Sequence, residues 1–99
     1  MAARDYDPIA ASQANVPAGP TGVQGDYLEH LLVIPATTAP GAVSIKDGTG
    51  GTPITVFAGG TLTSVIPFTI PIYAKAKAPG GWLITTGANV SVLAVGEFA

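Results

Sequence analysis

From residue 26 onward the chain is built of short runs in which apolar side chains recur at every second position, separated by glycine and proline. That period is the signature of β-strands. Tyr27-Leu28-Glu29-His30-Leu31-Leu32-Val33-Ile34 is rich in β-branched and aromatic residues and stops at Pro35. Leu28, Leu31 and Leu32 also fit a helical stripe, but the run is short and ends Val-Ile-Pro, which favours a strand. Strict alternation places Leu28, His30, Leu32 and Ile34 on one face, with Tyr27, Glu29, Leu31 and Val33 on the other. The far end is therefore expected to be buried on both sides. Ala42–Lys46 and Pro53–Ala58 read as a hairpin around the loop Asp47–Thr52, with Val43, Ile45, Ile54 and Val56 inward. Pro67 and Pro71 split Thr61–Tyr73 into two short strands, Leu62–Ile66 and Phe68–Tyr73, because proline in a sheet sits at an edge, a strand start or a bulge. Lys75–Gly81 reads as an exposed loop. Trp82–Thr86 and Asn89–Val95 form a second hairpin, with Val90 and Val92 facing one way and Ser91, Leu93 and Val95 the other.

Residues 1–22 differ in texture. Val16-Pro17-Ala18-Gly19-Pro20-Thr21-Gly22 is incompatible with helix or central strand. Two alternatives stand for this segment, an extended arm reaching roughly 70 Å and a frayed terminus. The arm is the working expectation, so that its removal should weaken attachment to a partner and leave the fold intact. Residues 23–99 are expected to form a single β domain. Roughly six or seven short strands with turn signals and no crossover helices predict an all-β antiparallel sandwich or jelly-roll-like barrel.

The 99 residues suffice for one modest core. Hydrophobic residues make up 47% and charged residues only 10%, with 13 glycines and 9 prolines, which excludes a helical bundle and a charged disordered tail. No cysteine is present, so no disulfide framework or thiolate zinc site is available. A sequence pI near 4.9 gives no basic footprint for nucleic acid. The opening Met1-Ala2-Ala3-Arg4-Asp5-Tyr6-Asp7 lacks the apolar stretch of a secretory signal. Runs such as Leu31–Ala36 are too short to span a bilayer as helix.

Charge placement changes the picture most. No charged side chain lies between Asp47 and Lys75, or between Lys77 and Glu97. A monomeric sandwich normally guards its edge strands with charge. Either threonine and serine (Thr61, Thr63, Ser64, Thr69, Thr85, Thr86 and Ser91) solvate these strands, or other subunits cover them. The second is favoured, because small domains are marginal alone.

Candidate chemistry is sparse. His30 is the one histidine, and Asp26, about 13 Å away along a strand, is too far to share a metal with it. No serine sits in a nucleophile elbow. Gly48-Thr49-Gly50-Gly51 lacks the ending of a phosphate loop. Asp5 and Asp7 lie on the expected arm rather than in a cleft. Lys75 and Lys77 fit a solvated loop or a contact to an acidic neighbour. Trp82 fits the core, a lid over one end, or a subunit contact. Trp82, Tyr73 and Asn89 are the candidate set for a carbohydrate-binding module. No enzyme activity and no cofactor or metal are expected. The candidate interface residues are Tyr6, Pro8, Ile9, Val16, Pro17, Pro20, Lys75, Lys77 and Trp82.

With its N-terminal segment, its glycine-punctuated strands and the closing stretch Gly81–Val92, the chain resembles the small all-β virion proteins of tailed bacteriophages, most of all their capsid decoration (cement) proteins. The resemblance covers residues 23–98 in texture and transfers no individual site residue. It implies a structural protein of the virion, assembled in the host cytoplasm. Its partners would be the major capsid protein or other virion subunits and further copies of itself, a trimer being favoured. Nucleic acid and membrane are not expected partners. A tail, neck or fibre-base subunit, or a monomeric surface-binding module, are the alternatives.

Overall fold

The computed structural model describes residues 5–98; residues 1–4 of the expected arm, and residue 99, lie outside the described residues. Eight strands follow one another: β1 (Asp5–Ile9), β2 (Val16–Pro17), β3 (Tyr27–Pro35), β4 (Val43–Asp47), β5 (Ile54–Phe57), β6 (Phe68–Lys75), β7 (Trp82–Thr86) and β8 (Val90–Glu97). No helix occurs among the described residues. Two antiparallel four-stranded sheets, ordered β1-β8-β3-β6 and β2-β7-β4-β5, pack together. The result is a plate with Cα extents of 36 × 31 × 18 Å.

The inner faces carry Leu28, Leu31 and Val33 from β3, Val90, Val92 and Ala94 from β8, Val43 and Ile45 from β4, and Ile84 from β7, all buried. Each such aliphatic side chain stabilises the fold by roughly 1.5–3 kcal/mol through removal from water. The alternation expected for β4 and β8 is observed.

β3 departs from strict alternation. Against β8, Leu28 faces Gly96 and His30 faces Val95, so Glu29 is an extra residue. This bulge reverses the phase of everything after it. Leu31 and Val33 join Leu28 inside, while Leu32 is half-buried and Ile34 is 36% exposed. The expected grouping of Leu28 with His30, Leu32 and Ile34 is therefore corrected, and so is burial of both faces at the far end. The neighbouring β6 bulges at the same level, where Tyr73 has φ 54°. At Gly96, a Cβ would run into the Tyr27 carbonyl, so only glycine lets β8 pass the bulge.

Four further expectations change. Trp82–Thr86 and the strand after Asn89 do not pair as a hairpin: β7 lies between β2 and β4 in one sheet and β8 between β1 and β3 in the other, so the Gly87–Asn89 turn crosses from sheet to sheet. Residues 62–66 form no strand; they lie in a loop tied to the β3–β4 connection by Leu62 N–H to Thr38 O, 2.7 Å, and Gly60 N–H to Pro40 O, 3.0 Å. Ile54 lies opposite the buried Ile45 but is 55% exposed, because β5 is the last strand of its sheet and nothing flanks it. The Lys75–Gly81 loop is not free: Asp47 accepts bonds from the amides of Lys77 (2.9 Å) and Ala78 (3.1 Å), and Ala76 is buried.

Residues 5–9 and 16–17 are strands joined through a turn at Ala11–Ser12, and they belong to the body of the sandwich. β1 is the edge strand beside β8, and β2 is the edge strand beside β7. Ile9 and Ala18 enter the core at 2% and 1% exposure. Thr86, expected as surface, is buried and fastens the crossing between the sheets. Its hydroxyl donates to Ala10 O (2.6 Å) and accepts from Gln13 N–H (3.1 Å). Removing residues 1–22 would strip an edge strand from each sheet, so the expectation of an intact fold after that deletion does not hold.

Thr86→Val keeps the shape and removes both bonds. It should cost about 1–2 kcal/mol in chemical denaturation and speed amide exchange selectively in residues 10–18. Gly96→Ala should cost about 1–3 kcal/mol from overpacking at the bulge, measured in the same way.

Candidate functional site

The expected interface residues separate into three groups. Ile9 and Trp82 are core positions, at 2% and 7% exposure. Trp82 is held inside by its indole N–H, which donates to Ala74 O at 3.0 Å, so neither residue is presented to a partner in this fold. Val16 and Pro17 are half-buried along β2. Tyr6, Pro8, Pro20, Lys75 and Lys77 are exposed. Tyr6 and Pro20 come together, with Asp5 and Phe98, around an open depression of about 300 Å³. The Asp5 carboxylate there accepts the Phe98 N–H at 3.1 Å.

The residues considered for carbohydrate are not brought to one place. Trp82 is buried at the start of β7, whereas Asn89 sits in the turn beyond the other end of that strand, where the chain crosses to β8. His30 Nδ1 lies 3.2 Å from Glu29 Oε1 at the bulge, with both side chains partly exposed. No group of three potential metal-ligating side chains occurs among the described residues.

What the molecule offers is surface. Register assigns the outer faces, since directly opposed residues on antiparallel strands share a side. On the β2-β7-β4-β5 sheet, one outer row reads Thr85, Ser44, Thr55 and the next Pro17, Leu83, Lys46. Thr85 is further dressed by the Asn15 N–H, 3.0 Å away. That face is polar. On the β1-β8-β3-β6 sheet the rows read Tyr6, Val95, His30, Pro71 and then Pro8, Leu93, Leu32, Thr69, followed by Ser91 beside Ile34. That face is mainly apolar. Sequence alternation alone did not find it, because the bulge decides that Leu32 and Ile34 point outward.

The second surface is an edge. β5, the 58–67 loop and β6 as far as Ala74 carry no charged side chain; Lys75 closes β6. Ile54, Val65 and Ile66 are 55%, 43% and 64% exposed. Behind them Phe57 and Phe68 meet edge to face, with ring centroids 5.1 Å apart. Phe57, Phe68, Ile70 and Ile72 are only half-buried, so the core opens toward this side. The opposite edge is guarded. On β1, Pro8 offers no N–H. Asp7 lies opposite the buried Ala94 and so points inward, a charge placement that discourages strand addition.

Burial pushes the Asp7 carboxyl above its ordinary pKa. A carboxyl with a raised folded-state pKa opposes folding when ionised. That opposition fades as pH falls through the folded-state value. Asp7→Asn should therefore raise the melting temperature slightly at pH 7, and the difference from the unmodified chain should vanish at acid pH, where both side chains are neutral. A scan of melting temperature against pH checks this. Asp47→Ala, which strips the acceptor from the β6–β7 loop, should cost about 1–3 kcal/mol in denaturant and is checked at pH 7. Comparison of the chain with protein-family models, characterised proteins and solved structures finds no match in any of the three.

Proposed function

We propose that this chain is a non-enzymatic structural protein of a viral particle, a decoration protein that binds and stabilises the shell formed by the major capsid protein. The observation that carries this reading is the open β5–β6 edge. An uncharged strip with exposed Ile54, Val65 and Ile66 costs solvation free energy while it faces water and recovers it when a neighbour covers it. A subunit that binds only the assembled shell stabilises that shell by mass action.

The strand order supports the same reading. We read the order β1-β8-β3-β6 over β2-β7-β4-β5 as the wrapping of a jelly roll, an eight-stranded double sheet that recurs in viral capsid and lectin domains. That support is analogy of fold, and the edge supplies the site. Attachment is placed at the edge rather than in residues 5–22, which the sandwich uses for its own strands. Self-association as a homo-oligomer, with localisation to the virion, completes the proposal.

Immunogold labelling and cryo-electron microscopy of purified virus particles test it. The chain should occupy regular positions on the shell. Ile54→Asp with Ile66→Asp should stay folded but lose more than about tenfold in occupancy, since two apolar contacts of roughly 1.5–3 kcal/mol each are removed. Density confined to the tail, neck or fibre base would replace decoration by another virion role. Absence from every particle fraction, or full occupancy of the double variant, would overturn the proposal.

A further inference from the structure

The open edge leaves the apolar outer face of β1-β8-β3-β6 without an occupant. Its rows are ordered in a way that narrows the choice. At one end Tyr27 lies on β3 with Glu97 opposite it on β8 and Lys75 opposite it on β6. Leu28 below them faces inward, so this row faces outward. An acidic and a basic side chain thus stand one strand to either side of β3. Beyond them come Val95, His30 and Pro71, then Leu93, Leu32 and Thr69, then Ser91 and Ile34.

We infer that this face pairs with the same face of a second copy of the chain, about a two-fold axis running along β3. A half-turn about that axis exchanges left and right. It sets Glu97 of each copy against Lys75 of the other, and lays Leu32 and Ile34 against their own counterparts. Self-complementarity of this kind is what an isologous contact requires. Stacked sheets lie about 10 Å apart with strands within roughly 30° of each other, and the lateral shift this angle gives the charged row is within reach of lysine and glutamate side chains.

Size agrees with a reversible pair. About that axis β8, β3 and β6 overlap the partner's strands while β1 overhangs, and three strands at about 4.8 Å spacing, over the length from Tyr27 to Ile34, give a footprint of roughly 330 Å² on each copy. A pair burying about twice that is smaller than a stable specific interface and has the size of a weak, transient contact. The dimer should therefore be weak and dissociate readily on dilution. A charged partner is disfavoured because rows beyond the first offer it no counter-charge except the Glu29–His30 pair. The axis also leaves the two β5–β6 edges on opposite sides of the dimer. On the reading proposed above, such a dimer bridges two neighbours in the shell.

Light scattering and sedimentation velocity of the full chain, over a dilution series and without particles, test the inference. A dimer that falls to monomer on dilution is expected. Leu32→Glu should give a folded monomer, with folding checked by circular dichroism. Glu97→Lys alone and Lys75→Glu alone should each weaken dimerisation about tenfold, since two attractive pairs become two repulsive ones. Mixing these two single variants should restore a heterodimer, because a chain with two lysines in the row then meets a chain with two glutamates. No contact within one chain can produce that rescue. A monomer at every concentration, a trimer indifferent to Leu32→Glu, or a mixture no tighter than either variant alone would overturn it. A chain that dimerises as described but is absent from particles would fail the decoration reading and leave this inference standing.

Discussion

One extra residue in the central strand sets the rest of the molecule. Side chains alternate along a strand with period two, so the bulge at Glu29–His30 reverses every later position of β3. Without it, Leu32 and Ile34 would face the core and Leu31 and Val33 would face water. With it, Leu31 and Val33 complete a layer with Val92 and Ala94, and Leu32 and Ile34 are turned outward beside Leu93 and Ser91. The same event makes the core continuous and makes the outer face of that sheet apolar. It also explains Gly96, which passes the displaced Tyr27 carbonyl where any Cβ would collide, and the left-handed Tyr73 on the other flank.

Around that centre, a small chain closes a thin sandwich by using nearly all of its length. The N-terminal segment supplies an edge to each sheet and crosses between them under Thr86. At the other end, the Asp47 carboxylate binds successive amides of the β6–β7 loop and ties β4 to the far sheet's connection. Side-chain oxygens do this work because loop amides leaving a sheet lose their ladder partners and need an acceptor. Few charges are needed for stability in such a design, and most of those present cluster at strand ends.

The distribution of what remains exposed is uneven. One outer face is mainly threonine, serine and lysine around Pro17 and Leu83; the other is mainly leucine, valine, isoleucine and proline, with charge at its Tyr27 end. One edge is guarded by Asp7 and Pro8; the other is an uncharged strip over a half-open core. An isolated small domain gains nothing from that asymmetry, since apolar surface left in water is a standing cost. A subunit that is covered on assembly does gain from it.

Local pattern was enough to specify much of this. The hairpin around Asp47–Thr52, the turn at Gly87–Asn89, the inward Val43 and Ile45, the alternating β8 and the all-β sandwich class follow from period-two patterning and glycine or proline at the turns, whereas the sheet to which each strand beside the Gly87–Asn89 turn belongs does not. The charge-free stretch between Asp47 and Lys75 was legible as well, and it marks the open edge. The rest lay beyond the sequence for a definite reason. A bulge, the docking of residues 5–22 and the burial of Thr86 and Trp82 each depend on pairing between segments tens of residues apart, and period within one segment carries no record of which strand lies beside it. The chain by itself determined that it would be a sparsely charged, strand-built domain; only tertiary register decided which leucines became core and which became surface, because a single-residue offset in one strand exchanges its two faces.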